Sequence, residues 1–112
     1  MVITLFLSLF LLSVSVKGDA FKDNMKFGII AAKKKLWKEA YFRFKRAVEL
    51  NPKSAKAYNN LAVACEALGK FEEAEKYYKK ALQLDPRDRR IRTNYAIFQE
   101  LVRKRTKRMV KK

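Results

Sequence analysis

From residue 21 onward, apolar positions recur three and four residues apart, the spacing that places them on one stripe of a helix. Residues 58–86, YNNLAVACEALGKFEEAEKYYKKALQLDP, read as two amphipathic helices with a turn at Gly69 and a stop at Pro86. Shifting this stretch back by 34 residues, the distance from Pro86 to Pro52, lays it on a second copy of itself. Phe27 then falls on Leu61, Gly28 on Ala62, Trp37 on Phe71, Ala40 on Ala74, Phe44 on Tyr78, Ala47 on Ala81 and Leu50 on Leu84. Shifted forward, Tyr95 and Ala96 fall on Leu61 and Ala62. A fixed period of this length predicts stacked helical hairpins, an all-α fold.

In the first hairpin, Asp19 is expected to cap a helix reaching about Lys34, with Phe21, Met25, Phe27, Gly28, Ile30 and Ala31 on its apolar faces. A second helix should run from Trp37 to Leu50 and end at Asn51-Pro52. Gly28 and Ala40 are small where the paired helices should cross. The turn Lys33-Lys34-Lys35 lacks the glycine that Gly69 supplies in the second hairpin, at a cost of about 1 kcal/mol for a left-handed lysine. Ser54 and Asp88 each precede a helical run and read as N-caps. The second hairpin repeats the design with Ala62 and Ala74 at the crossing, and Cys65 on its inner stripe reads as a buried small hydrophobe. A third helix carries Ile91, Tyr95, Phe98, Leu101 and Val102 and should cover the open end of the stack, fraying a turn or two into the basic run that follows. The expected organisation is therefore residues 21–54 as repeat 1, 55–88 as repeat 2, 89–102 as a partial repeat and capping helix, and 103–112 as a basic tail.

Residues 2–16 are apolar apart from Thr4, Ser8, Ser13 and Ser15. As a helix they would span about 22 Å, less than the roughly 30 Å hydrocarbon core of a bilayer. Small residues around Gly18 and Ala20 suit a signal peptidase, so residues 1–20 are expected to be an export signal and the chain periplasmic or secreted. The alternative is an uncleaved membrane anchor, with the lysines after it holding the repeats in the cytoplasm. Lys17 and Asp19 are the only charges in this segment, so its loss would leave the net charge of +16 unchanged.

These positions resemble the tetratricopeptide repeat family in period and in pattern: Trp37 or Phe71, Ala40 or Ala74, Phe44 or Tyr78, Ala47 or Ala81, and the two prolines. Asn24 and Arg92 depart from it, standing where an aromatic is usual, and Tyr58 conforms. The resemblance implies an α-α superhelix, a solenoid of helix-turn-helix hairpins closed by a terminal capping helix, with a concave groove built from the first helix of each repeat. Carried over position by position, the groove would be lined by Lys22, Met25, Ile29 and Ala32; by Lys56, Asn59, Asn60, Val63 and Glu66; and by Arg90, Thr93, Ile97 and Glu100. Lys22, Lys56 and Arg90 would make a basic ladder and Ile29, Val63 and Ile97 an apolar one. An extended peptide or helix of a partner protein, with apolar side chains and an acidic end, would complement both. Of the slots by which some members clamp a chaperone's C-terminal carboxylate, Asn60 and Arg90 fit, but Met25, Ile29 and Asn94 do not, which disfavours that ligand. So few repeats also favour self-association through the open end of the stack.

The composition argues for binding rather than chemistry. There is no histidine, one cysteine and no glycine-rich phosphate loop, so an enzyme, a cofactor and a metal site are not expected. The last ten residues hold seven bases and no acid. Arg103, Lys104, Arg105, Lys107 and Arg108 could meet a polyanion or an anionic membrane surface, the alternative function for the chain. No aromatic is interleaved with these bases, which disfavours nucleic acid.

Overall fold

The computed structural model describes the backbone of residues 2–111 and the side chains of residues 15–111. Five helices follow one another: α1 (Val2–Lys33), α2 (Trp37–Leu50), α3 (Ala55–Ala67), α4 (Phe71–Leu84) and α5 (Arg89–Val110). Connections of three residues fold α1 against α2 and α3 against α4 as antiparallel hairpins. The α2–α3 contact joins the two, and α5 lies over α3 and α4.

Matching ends show the repeat most plainly. Leu36 N–H donates to the carbonyl of Ala31 and Lys35 N–H to that of Ala32, both at 2.9 Å; Lys70 N–H donates to Cys65 at 2.9 Å and Gly69 N–H to Glu66 at 3.1 Å. Both turns thus use the same two reverse bonds to satisfy the last carbonyls of a helix. This geometry needs a left-handed residue, supplied by Gly69 at φ +76° and, as the lysine turn implied, by Lys35 at φ +59°. Ser54 Oγ accepts from Ala57 N–H at 3.1 Å and Asp88 Oδ1 from Ile91 N–H at 3.0 Å, so both caps form as the sequence indicates.

The core lies along the hairpin crossings. Ala40, Ala47, Ala62, Ala74 and Ala81 are wholly buried, with Phe44 and Tyr78 almost so. A Cβ placed on Gly28 would lie 2.5 Å from Phe44 Cε1 and 2.8 Å from Cδ1, closer than carbon atoms pack. At the C-terminal end Tyr78, Tyr95 and Phe98 form an aromatic cluster, with centroids 5.3 to 6.3 Å apart, and Phe71 joins through Phe98.

Three expectations need correction. Asp19 caps nothing, because α1 begins at Val2 and passes through it; the stretch around Gly18 holds no proline, and one glycine costs a helix only about 1 kcal/mol. Helix α5 runs to Val110, through the basic run that was expected to stay helical for a turn or two and then fray, since residues 103–110 lack any breaker and Glu100 pairs with Arg103 and Lys104. Phe27 is 45 % exposed, whereas Leu61, its counterpart in repeat 2, is fully buried. Among the described residues no helix lies on repeat 1 as α2 lies on α3, so that position is left uncovered. The apolar run of residues 2–16, read as a signal or an anchor, lies almost wholly outside the residues whose side chains are described. Among the described residues no helix is long and apolar enough to cross a membrane.

The left-handed lysine gives a direct prediction. Lys35→Gly should raise stability by about 0.5–1 kcal/mol in urea unfolding, the relieved strain exceeding the added freedom of the unfolded chain. Gly69→Ala should lower it by a similar amount, because the same backbone position then acquires a Cβ.

Candidate functional site

The first helix of each repeat faces a shared trough. Its floor is Ile29 from α1, Val63 from α3 and Ile97 from α5, flanked by Trp37. The 34-residue period sets these aliphatics side by side, one per repeat, and Ile97 is 60 % exposed. Along one side stand Lys33, Lys56 and Arg90, contributed by three different helices to the same depression. Asn94 Nδ2 donates to Asn59 Oδ1 at 3.2 Å, and Asn59 Nδ2 reaches Asn60 Oδ1 at 3.5 Å. Asn60 Oδ1 thus faces Asn59, and Asn60 itself lines the trough. At the other end Glu66 accepts from Tyr78 O–H at 2.8 Å, which holds its carboxylate beside Val63 and Ile97.

Not every residue assigned to the groove lines it. Ile29, Lys56, Asn59, Asn60, Val63, Glu66, Arg90 and Ile97 are brought together. Met25 is 8 % exposed and belongs to the core, and Asn59 at 3 % acts through its neighbours rather than at the surface. Lys22 and Thr93 are exposed outside the trough. The cation that joins Lys56 and Arg90 is Lys33, which by sequence belongs to the turn. Trp37 lines it as well, unforeseen from the sequence, and so does Asn94, which stands at one of the clamp slots. Spacing could have found Lys33, since it lies one helical turn beyond Ile29 on the same face.

The basic end of α5 is partly spoken for. Arg103 makes a two-pronged pair with Glu100, at 2.6 and 2.8 Å, and Lys104 lies 3.7 Å from the same carboxylate. The bond from Arg103 holds the Glu100 carboxyl below its ordinary range. The Arg105 guanidinium sits 4.7 Å from the centre of the Phe71 ring, a stacking role within the fold. Lys107 and Arg108 are exposed. A further depression between α2 and α4 mixes Lys45, Lys76, Lys79 and Lys80 with Glu49, Glu72 and Glu75, so no single sign of charge prevails there. Among the described residues no group of three His, Cys, Asp or Glu could hold a metal ion.

Comparison with known proteins agrees with the fold. The tetratricopeptide repeat pattern matches residues 55–88. The TPR domain of Arabidopsis OM64 is 30% identical at a TM-score of 0.71, over 78% of this chain and 73% of that one. The TPR2B domain of yeast Sti1, solved as a complex with pHsp70, is 26% identical at 0.72, over 76% and 68%. Pseudomonas aeruginosa PilF is 26% identical at 0.72 over 79% of this chain, which spans only 40% of the PilF chain. No curated protein sequence matches. The chain belongs to the tetratricopeptide repeat family, an all-α superhelical repeat fold. Proteins of this family generally serve as scaffolds for contact with other proteins and are generally not enzymes.

Cys65 is placed against reactivity. It is fully buried, with its Sγ 3.8 Å from Glu73 Oε2. Burial, and then the Glu73 charge, push its thiol up from 9.0 to about 12. The sign follows: the folded state keeps the proton longer than the unfolded one, so this contribution is complete below pH 9 and is lost as pH rises toward 12. Native chain should therefore resist iodoacetamide at pH 8 and react on unfolding, and its Tm should fall above pH 9 less steeply in Cys65→Ala than in the wild type.

Proposed function

We propose that the chain is a protein-binding module that holds an extended segment of a partner in the trough between α1, α3 and α5. One observation carries this reading: three helices place Lys33, Lys56 and Arg90 around a single depression whose floor is aliphatic. Ile97 is exposed and Ile29 and Val63 are partly so, apolar surface that a partner's side chains could cover, and three cations beside it select an acidic neighbour. The segment would lay alternate apolar side chains on Ile29, Val63 and Ile97. Its acidic end would meet the cations and the Asn60 amide. The complex of the Sti1 domain with pHsp70 supports this mode by likeness of fold.

The competing reading uses the exposed bases of α5 on an anionic surface. Regular helix to Val110 sets Arg103, Lys107 and Lys111 four residues apart on one face, together with Lys104. Glu100 neutralises part of this face and Arg105 stacks on Phe71, which leaves fewer free cations than the sequence suggests.

Fluorescence anisotropy with a labelled peptide of alternating valine and serine ending in two aspartates separates these readings. The full chain should bind it, and Lys56→Glu with Arg90→Glu should weaken binding at least tenfold, about 1.4 kcal/mol, while deletion of residues 103–112 leaves it intact. Undiminished binding by the double variant would reject the trough. Loss on the deletion instead, together with salt-sensitive binding to phosphatidylserine vesicles, would favour the basic helix.

A further inference from the structure

The α2–α3 junction shows what the N-terminal end of the stack lacks. Across that junction α2 covers the outer face of repeat 2. Tyr41 O–H donates to Glu73 at 3.1 Å, Lys45 Nζ donates to Tyr77 Oη at 2.8 Å, and Lys70 Nζ lies 5.3 Å from the centre of the Tyr41 ring. Beneath this cover Leu61 and Ala64 are fully buried and Tyr77 is 8 % exposed. The same face of repeat 1, found 34 residues earlier, consists of Phe27, Ile30, Leu36, Glu39 and Arg43. Phe27, Ile30 and Leu36 there are 45 %, 39 % and 54 % exposed.

Register also states what the missing cover must carry. Glu39 occupies the place of Glu73, so it still asks for a hydroxyl or another donor where α2 presents Tyr41. Arg43 occupies the place of Tyr77, so the lysine that α2 offers there at Lys45 would now meet a cation, and only an acid complements it. Arg43 is already aimed: its Nε donates to Glu39 at 2.8 Å, and its guanidinium lies 5.5 Å from the Phe27 ring centre and 6.0 Å from that of Phe42. One of its five donors is engaged, and the fork can still accept a carboxylate. A second copy is a poor occupant, because each chain carries +16 and two such chains repel.

We infer that the end face of repeat 1 docks an amphipathic helix of a partner protein, lying as α2 lies on α3, with a hydrogen-bond donor at position i, an acid at i+4 and an aliphatic residue at i+7. The last stands where Val48 stands in α2, itself buried to 7 % exposure. The surface is distinct from the trough, since none of its residues borders Lys56 or Arg90.

The probe is a hydrocarbon-braced peptide of the α2 sequence, Trp37–Leu50, with Phe44→Gln so that it cannot replace α2 in its own hairpin. It is made with lysine retained at position 45 and, separately, with Lys45→Glu. Anisotropy with the full chain should show the Lys45→Glu peptide binding at least tenfold tighter than its lysine counterpart. Phe27→Ser in the chain, at an exposed position that leaves the circular dichroism unchanged, should weaken it at least tenfold, and Lys56→Glu with Arg90→Glu should not affect it. Arg43→Glu should reverse the preference. Equal binding of the two peptides, no saturable binding of the Lys45→Glu form, or an Arg43→Glu chain with unchanged preference would overturn the inference. A dimer in sedimentation equilibrium that Phe27→Ser dissolves would assign the face to a second copy instead.

Discussion

Everything in this chain depends on how closely two helices of a hairpin can approach. At the first crossing Gly28 lies under the Phe44 ring with no room for a Cβ. The second crossing uses Ala62 and Ala74, both wholly buried, with Tyr78 in the place of Phe44. Close approach brings the facing side chains into dispersion contact along the crossing and excludes water from the alanine stripe, the main stabilisation available to helices this short. With the hairpins fixed, the rest is placed. Their stacking sets Ile29, Val63 and Ile97 abreast, brings Lys33, Lys56 and Arg90 around one depression, and leaves the face of repeat 1 open.

Polar groups at the junctions are paired more fully than the sequence alone reveals. Glu73 accepts from Tyr41, Glu66 from Tyr78 and Glu75 from Tyr95 at 3.3 Å, so each of these acids in or beside the second hairpin holds a tyrosine. Burial comes first and the hydrogen-bonded Glu66 second in keeping Tyr78 protonated well above its ordinary range. Lys45 is raised by its bond to Tyr77. The Tyr41–Glu73 and Tyr95–Glu75 pairs cross from one repeat to the next, whereas Tyr78–Glu66 ties α3 to α4 within repeat 2. These pairs use acids in a chain that has few to spare, which leaves the positive excess to the surface, where an acidic partner would meet it.

Local chemistry made much of this legible in the sequence. Ser54 and Asp88 act as caps because a side-chain oxygen needs only the next turn of helix to find its partner. Gly69 and Lys35 turn left because both hairpins close with the same reverse bonds. Features that depend on what lies beyond the element were misread. Phe27 has the periodicity of a core residue, and its exposure follows from the absence of a neighbour that no spacing rule reports. Asp19 has the composition of a cap but lies within a longer helix. Met25 aligns with the groove yet is 8 % exposed and packs in the core, while Lys33 belongs by sequence to the turn and yet borders the trough.

The crossing itself is tested by comparing Gly28→Ala with Gly18→Ala in urea unfolding of the full chain. Both glycines lie within α1, and alanine is the better helix former by about 1 kcal/mol. A Cβ on Gly18 meets nothing within 4 Å, whereas one on Gly28 meets the buried Phe44 ring. The expected result is that Gly18→Ala leaves stability unchanged or slightly raised, while Gly28→Ala lowers it by about 1–3 kcal/mol. A Gly28→Ala protein as stable as the wild type, or more stable, would contradict the packing on which the fold and both proposed binding surfaces rest.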